Sequence, residues 1–245
     1  MDVREFENIM KSDIEEVFTN ILAEHNYLFP ISARSRSGAE ISDYLEDSFV
    51  EYLNNHPHIR IYNPKGAPND RIYNPQGAPK ENTKNPFDFC FNYKNEEYHD
   101  FDDLVWGDIK AIKSTGAGSN PDLGILKKVI DFIKDDHFYI LYVLVKYKPT
   151  KDGYIQLIKF DDEKYVHCVF LKDMGKFRIN PKPQFQANIT EQEEYRTREE
   201  FVKLFYKKYM ESVKRNLEKQ KKKQKELPDI FASLENQINE YYTQD

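Results

Sequence analysis

NPFDFCFNY (85–93), followed closely by LVWGDIKAIK (104–113), alternates its side chains with a period of two. In the first stretch Phe87, Phe89, Phe91 and Tyr93 share one face, and Asp88, Cys90 and Asn92 share the other. In the second, Val105, Ile109 and Ala111 line one face opposite Trp106, Asp108 and Lys110. Alternation of this kind predicts two neighbouring strands with one apolar face against a core. Asp88, Asp108 and Lys110 then stand as polar residues on core-seeking strands, which is costly unless they are paired or bind a metal. Asp108 and Lys110 project from the same side of one strand, so a carboxylate and a cation lie next to each other. Hydrolysis of a phosphodiester needs an activated water and charge stabilisation at phosphorus, and carboxylate-held Mg²⁺ supplies both. A D-x-K triplet also arises as a solvated ion pair on an edge strand, and the triplet alone does not choose between the two.

Outward from these strands, residues 2 to 25 carry Phe6, Ile9, Met10, Ile14, Val17, Phe18, Ile21 and Leu22 at helical spacing. A second amphipathic helix is predicted over about 39–54, with Ile41, Tyr44, Leu45, Phe49, Tyr52 and Leu53 inward. From Arg60 the chain repeats itself: RIYNPKGAPND is followed at once by RIYNPQGAPKE, identical at eight of eleven positions. Two units this short cannot stack into a solenoid, so the repeat reads as a duplicated loop, either beside the active site or a tolerated surface insertion.

Beyond the second strand the pattern predicts a Gly/Ser/Asn loop, a helix over 121–135, an apolar strand Phe138–Tyr147 and strands over 154–160 and 165–171. A Pro-punctuated extended stretch, Phe177 to Ile189, precedes a long helix opened by the cap-like Thr197-Arg198-Glu199-Glu200. That helix is expected to run to about Glu226, to be interrupted by Pro228, and to be followed by a last segment, Phe231 to Tyr242. The fold class is therefore α/β, a mixed central sheet flanked by helices. The organisation is one domain over residues 1–245 with a C-terminal helical extension from about 197 to 245.

Composition narrows the function classes. Hydrophobic residues make 39% and charged residues 32% of the 245, and no run of about 18 apolar residues is present, so a membrane-spanning helix is not expected. Met1 to Lys11 is charged and helical in period, unlike a secretory leader, and a cytoplasmic protein is expected. Cys90 and Cys168 are too few for a disulfide framework or a thiolate zinc site. The six His residues show no metal spacing on one helix face. A formal charge of −6 is unusual for a chain that meets a polyanion, but the charge is segregated. Between Lys203 and Lys225 ten Lys/Arg stand against two Glu, and the Lys-rich end, Lys214 to Lys225, is either a surface for DNA backbone or a solvated face. Apolar spacing along this extension thins after Lys214.

SGAEISDYLEDSFVEYL (37–53), GAPKENTKNPFDF (77–89), WGDIKAIK (106–113), SNPDLG (119–124), FRINPKPQFQANI (177–189) and YRTREEF (195–201) together resemble the SwaI restriction endonuclease family, within the PD-(D/E)xK superfamily. The resemblance runs in order from about residue 30 to 220. It implies a restriction-endonuclease-like fold and a homodimeric type II endonuclease that cuts double-stranded DNA at a long AT-rich palindrome with Mg²⁺. By position, Asp88 and Asp108 take the two acidic, metal-binding roles and Lys110 the lysine. The superfamily often adds a glutamate from the preceding helix; Glu46 fits that place best, and Glu40 lies equally near the margin of the buried stripe. The doubled RIYNP loop departs from the family pattern, which bears on the DNA sequence recognised.

Candidate readers of DNA follow. Gln184, Gln186 and Asn188 alternate with apolar residues, so in an extended chain their amides share a face, and carboxamides are the side chains that bond adenine bidentately. The same pattern also suits the solvent face of a strand. Arg178 and Lys182 could contact phosphate or bases. Ser114, Thr115 and Asn120 suit phosphate contact after the catalytic strand. Two other functions share these features: a PD-(D/E)xK nuclease of repair or recombination that acts on DNA structure, and a non-catalytic DNA-binding or assembly module.

Overall fold

The computed structural model describes residues 2–29, 37–62, 76–77, 89–94, 102–114, 122–135, 137–180, 184–187 and 192–242. In chain order the elements are α1 (Val3–Glu24), β1 (Leu28–Phe29), α2 (Ser37–Asn55), β2 (Ile61–Tyr62), β3 (Gln76–Gly77), β4 (Phe89–Lys94), β5 (Asp102–Lys113), β6 (Asp122–Ile125) and α3 (Leu126–Lys134). They continue with β7 (Tyr139–Pro149), β8 (Ile155–Ile158), β9 (Val166–Phe170), β10 (Phe177–Ile179), β11 (Gln184–Ala187) and α4 (Arg198–Tyr242).

Eight strands form a mixed sheet in the order β1-β8-β7-β5-β4-β2; β3 also pairs with β4, and β9 also pairs with β7. β4 and β5 are antiparallel, from Phe89 opposite Gly107 to Lys94 opposite Asp102. β5 and β7 are parallel, with Asp108 beside Tyr142 and Lys110 beside Leu144. The expected alternation places Phe89, Phe91, Tyr93, Val105 and Ile109 in a core shared with α1 and α2. Cys90, Leu104, Ile140, Tyr142 and Leu144 enter a second core with α3, β10, β11 and the root of α4, and Trp106 packs against it. The sheet is thus buried on both faces, which is why β7 reads as a continuous apolar run.

Local chemistry sets the helix ends. The Asp2 carboxylate accepts a bond of 2.8 Å from the Glu5 amide and caps α1. At α4 the Thr197 hydroxyl accepts from the Glu200 amide at 3.2 Å, while the Glu200 carboxylate accepts from the Thr197 amide at 2.8 Å. This reciprocal capping box holds the Glu200 carboxyl below its usual range. Asp13 on α1 gathers two bonds of 2.5 Å from Arg60 and one of 2.6 Å from the Tyr93 hydroxyl, tying the entry to β2 onto β4.

Two elements differ from the pattern reading. The helix expected over 121–135 starts later: Asp122–Ile125 is a strand, with Gly124 at φ 122, and only Leu126–Lys134 is helical. Pairing of β6 with β11 provides ladder bonds that a local reading cannot see. Pro228 does not end the last helix, and α4 is continuous over 45 residues with the proline inside it. The missing N–H and the ring cost helix stability there but do not divide the element.

Candidate active site

Asp108 and Lys110 meet as their period predicts: Lys110 Nζ lies 2.7 Å from an Asp108 carboxylate oxygen. The Asp108 side chain is 3% exposed and that of Lys110 is 23% exposed, so the carboxylate is held inside and the ammonium reaches toward solvent. Desolvation makes this carboxylate costly without a positive partner, and Lys110 is that partner.

The pairing of β4 with β5 reaches Gly107 and stops at Phe89 among the described residues. Two residues further along β5, α2 makes contact: the Ser42 hydroxyl donates to the Ile109 carbonyl at 2.9 Å. Glu46 lies one helical turn beyond Ser42 and is buried. Phe49 follows, its ring 4.5 Å from that of Phe89 and 5.7 Å from that of Phe91. The buried Glu46 is therefore bracketed on α2 by one contact to β5 and two to β4. Ser42 went unnoticed in sequence because a small hydroxyl at a helix margin carries no periodic signal.

The amide-bearing strand β11 belongs to a separate three-stranded sheet, order β10-β11-β6. Gln184 and Gln186 share its partly exposed face while Phe185 and Ala187 are buried. In β10 Arg178 pairs with Gln186 across the hairpin and donates to its side-chain oxygen at 3.1 Å; Asn180 donates likewise to Gln184 at 3.1 Å. From α4, Arg215 donates to the Ile179 carbonyl at 2.6 Å and Ser212 to the Asn180 carbonyl at 3.1 Å. A cavity of about 220 Å³ is lined by Arg178, Ile179, Asn180, Gln186 and Arg215. This sheet is tied to the central one through Tyr142, which stands beside Asp108 in register and whose hydroxyl donates to the Leu123 carbonyl of β6. Arg215, Ser212 and Tyr142 were missed by sequence reasoning, because their partners are backbone carbonyls on distant segments.

Ser114 is exposed at the end of β5, its amide bonded to the Tyr147 carbonyl at 2.8 Å. Asp88, Thr115, Asn120, Lys182 and Asn188 lie outside the described residues, as does the side chain of Glu40. Among the described residues no group of three His, Cys, Asp or Glu could hold a metal ion. Among them, too, no helix is long and apolar enough to cross a membrane.

A family described as SwaI-like, SwaI restriction endonuclease, matches residues 2–227 of this chain. No curated protein matches it. Among solved structures, an NlaIV restriction endonuclease is similar at 14% identity and a TM-score of 0.44, covering 79% of this chain and 78% of that one.

Proposed function

Because the chain belongs to the SwaI-like restriction endonuclease family, we propose that it is a type II enzyme, a homodimer that cuts both strands of an AT-rich palindrome in duplex DNA with Mg²⁺. The observation that carries this reading is the buried Asp108 paired at 2.7 Å with Lys110 on β5, the strand to which α2, the helix of the buried Glu46, is bonded through Ser42. Asp88 directly precedes Phe89 in the chain. Phe89 pairs with Gly107, the neighbour of Asp108. Chain connectivity thus supports Asp88 and Asp108 as the two acidic groups of one site.

The donor chemistry fits the metal. Asp108 is a desolvated carboxylate, Asp88 and Glu46 are further oxygen donors, and Mg²⁺ takes hard oxygen ligands. Asp88 and Asp108 would hold Mg²⁺, with Glu46 in support, and the ion would supply Lewis-acid stabilisation of charge at phosphorus. Lys110, anchored by Asp108, carries positive charge to the scissile phosphate and orients the attacking water. Ser114, Thr115 and Asn120 follow the catalytic strand in the chain and would contact the phosphate backbone.

Base readout falls to the hairpin of β10 and β11. Gln184 and Gln186, with Asn188 beyond them, present amides suited to adenine, and Arg178 and Lys182 add positive charge. Arg178 and Asn180 hold the two glutamine oxygens in the free chain, which orders those amides before DNA arrives.

Digestion of a fully sequenced duplex by the whole chain tests this reading. Discrete fragments with Mg²⁺, none with a chelator, and ends mapping to one AT-rich palindrome are expected. Uniform degradation or junction-only cutting would point to a repair or recombination nuclease, and absence of any cleavage would refute catalysis.

A further inference from the structure

α4 leaves the body of the protein. Its buried side chains end at Ser212, and every residue from Leu217 to Ile238 is exposed, a free rod about 33 Å long at 1.5 Å per residue. Little in this segment favours a solitary helix. Lys219/Lys223 and Lys221/Lys225 are like charges at i,i+4, Pro228 interrupts the backbone bonding, and most helix stability comes from packing.

Most of the exposed apolar residues of α4 form a seam, with Val202, Tyr209 and Ile230 off it. Tyr206, Met210, Val213, Leu217, Leu227, Phe231, Leu234 and Ile238 are all exposed, Leu217 to 55% and Phe231 to 59%. Their spacing alternates three and four residues throughout once Gln220 and Gln224 are counted as the two intervening positions. The apparent thinning after Lys214 is therefore a polar step in an unbroken heptad register. Pro228 and the lysines of 221–223 fall outside the seam positions.

The seam is self-complementary when reversed. Turned end for end about Lys222, Met210 meets Leu234, Val213 meets Phe231, Leu217 meets Leu227, Tyr206 meets Ile238, and Gln220 meets Gln224. Apolar residues then face apolar ones, and the carboxamides face each other, which defines the register. Charge agrees. The ten Lys/Arg and two Glu of 203–225 are followed by five Asp/Glu and no Lys/Arg over 226–245. Antiparallel pairing about Lys222 sets the basic stretch 203–218 of one helix along the acidic stretch 226–241 of the other, with Lys207 flanking Glu235, and leaves the lysine run 219–225 facing its own copy; parallel pairing would set basic against basic along the whole of 203–225. With four of every seven positions in contact, residues 206–238 supply about twenty residues a side, the scale of a stable interface.

We propose that α4 pairs with α4 of a second copy of this chain as an antiparallel two-stranded coiled coil centred on Lys222. The helix roots at Arg198 then lie about 70 Å apart. Two active sites that cut one duplex site must work within about one helical turn, roughly 34–36 Å. The coiled coil is therefore distinct from the contact that would pair catalytic sites, and it links two nuclease bodies able to engage separate DNA segments. It stands independently of the catalytic reading.

Cysteine cross-linking of the full chain tests it, since the native Cys90 and Cys168 are buried. Leu217→Cys and Leu227→Cys, each alone, are expected to give no disulfide-linked dimer, because like positions sit ten residues or about 15 Å apart, beyond disulfide reach. The double variant, and an equimolar mixture of the two single variants, are expected to give covalent dimers. Self-linking of either single variant means a parallel pair and overturns the proposal; an intrachain bridge in the double variant means a folded-back hairpin and overturns it too. Sedimentation of the reduced protein is the second measurement. Lys207→Glu should weaken self-association about tenfold and Lys207→Glu/Glu235→Lys should restore it. Equal association by all three proteins, or none by the parent chain, overturns the pairing.

Discussion

The ring of Phe89 lies over Gly107, its partner across β4 and β5, so closely that a β-carbon at residue 107 would come to 2.1 Å from Phe89 Cζ. Only glycine fits under that ring, and the next residue is Asp108. Gly107→Ala is expected to destabilise the protein by about 1–3 kcal/mol through overpacking, lowering the urea midpoint, and to reduce cleavage because the strand carrying Asp108 must shift. Adding Phe89→Leu should recover part of the stability, and additive losses in the double variant would contradict the contact.

Asp108→Asn should leave circular dichroism and the thermal transition close to those of the parent while cutting falls, whereas Lys110→Met, which strands the buried Asp108 carboxylate, should lower the thermal transition as well as the rate. For Lys110→Met the expected loss of rate is about 10²–10³-fold, the range for removing one group that stabilises charge in the transition state. Single-turnover cleavage on a cognate duplex measures it. A Lys110→Met protein that cuts at the parental rate removes that residue from the mechanism.

Base readout by the hairpin predicts a different phenotype. Gln184→Ala and Gln186→Ala should each lose about 1–3 kcal/mol of discrimination between the cognate site and single-base variants, with the Mg²⁺ dependence unchanged. Arg178→Ala should act in the same direction on Gln186, whose amide oxygen it holds at 3.1 Å. Competitive cleavage of a site library reads all three, and unchanged preferences would retire the hairpin as the reader.

A buried ionic cluster joins α1 to the segment after β9. Lys172, 3% exposed, lies 2.8 Å from Glu7 and 2.9 Å from Asp173, and donates to the Arg196 carbonyl at 2.9 Å. Burial pushes the Glu7 carboxyl above its usual value, and Lys172 opposes that rise. Lys172→Met should cost about 3–5 kcal/mol at neutral pH by leaving two carboxylates without their cation. A carboxyl whose folded pKa exceeds its unfolded one is protonated preferentially in the native state, so its destabilisation is present above the folded pKa and is relieved as pH falls through it. The variant should therefore regain stability relative to the parent as pH drops toward about 4.5. Denaturation midpoints across pH give the slope, and a constant difference between the two proteins would contradict the assignment.

Both thiols should be silent in the native protein. Burial pushes the Cys90 thiol up to about 12 and holds that of Cys168 well above the ordinary range. Alkylation at pH 8 followed by mass measurement should show neither modified until denaturant is added. Rapid native labelling of Cys90 would mean that the face of β4 toward α3 opens.

What the sequence determined by itself is whatever one element imposes on its own residues. Period two in β4 and β5 decided that Asp108 and Lys110 share a side, and spacing in α1 and α2 decided which faces turn inward, because side-chain direction follows from backbone geometry alone. The capping box at Thr197 was equally local. Only the tertiary structure decided the rest. That Asp122–Ile125 is a strand depends on β11, some sixty residues away. That α2 closes on β5 through Ser42 and Ile109, burying Glu46, depends on a bond spanning 67 residues. That Tyr142 stands beside Asp108 depends on the parallel register of β5 and β7. Such contacts are selected by the combined packing of all the layers, and no single segment carries the free energy that chooses among them.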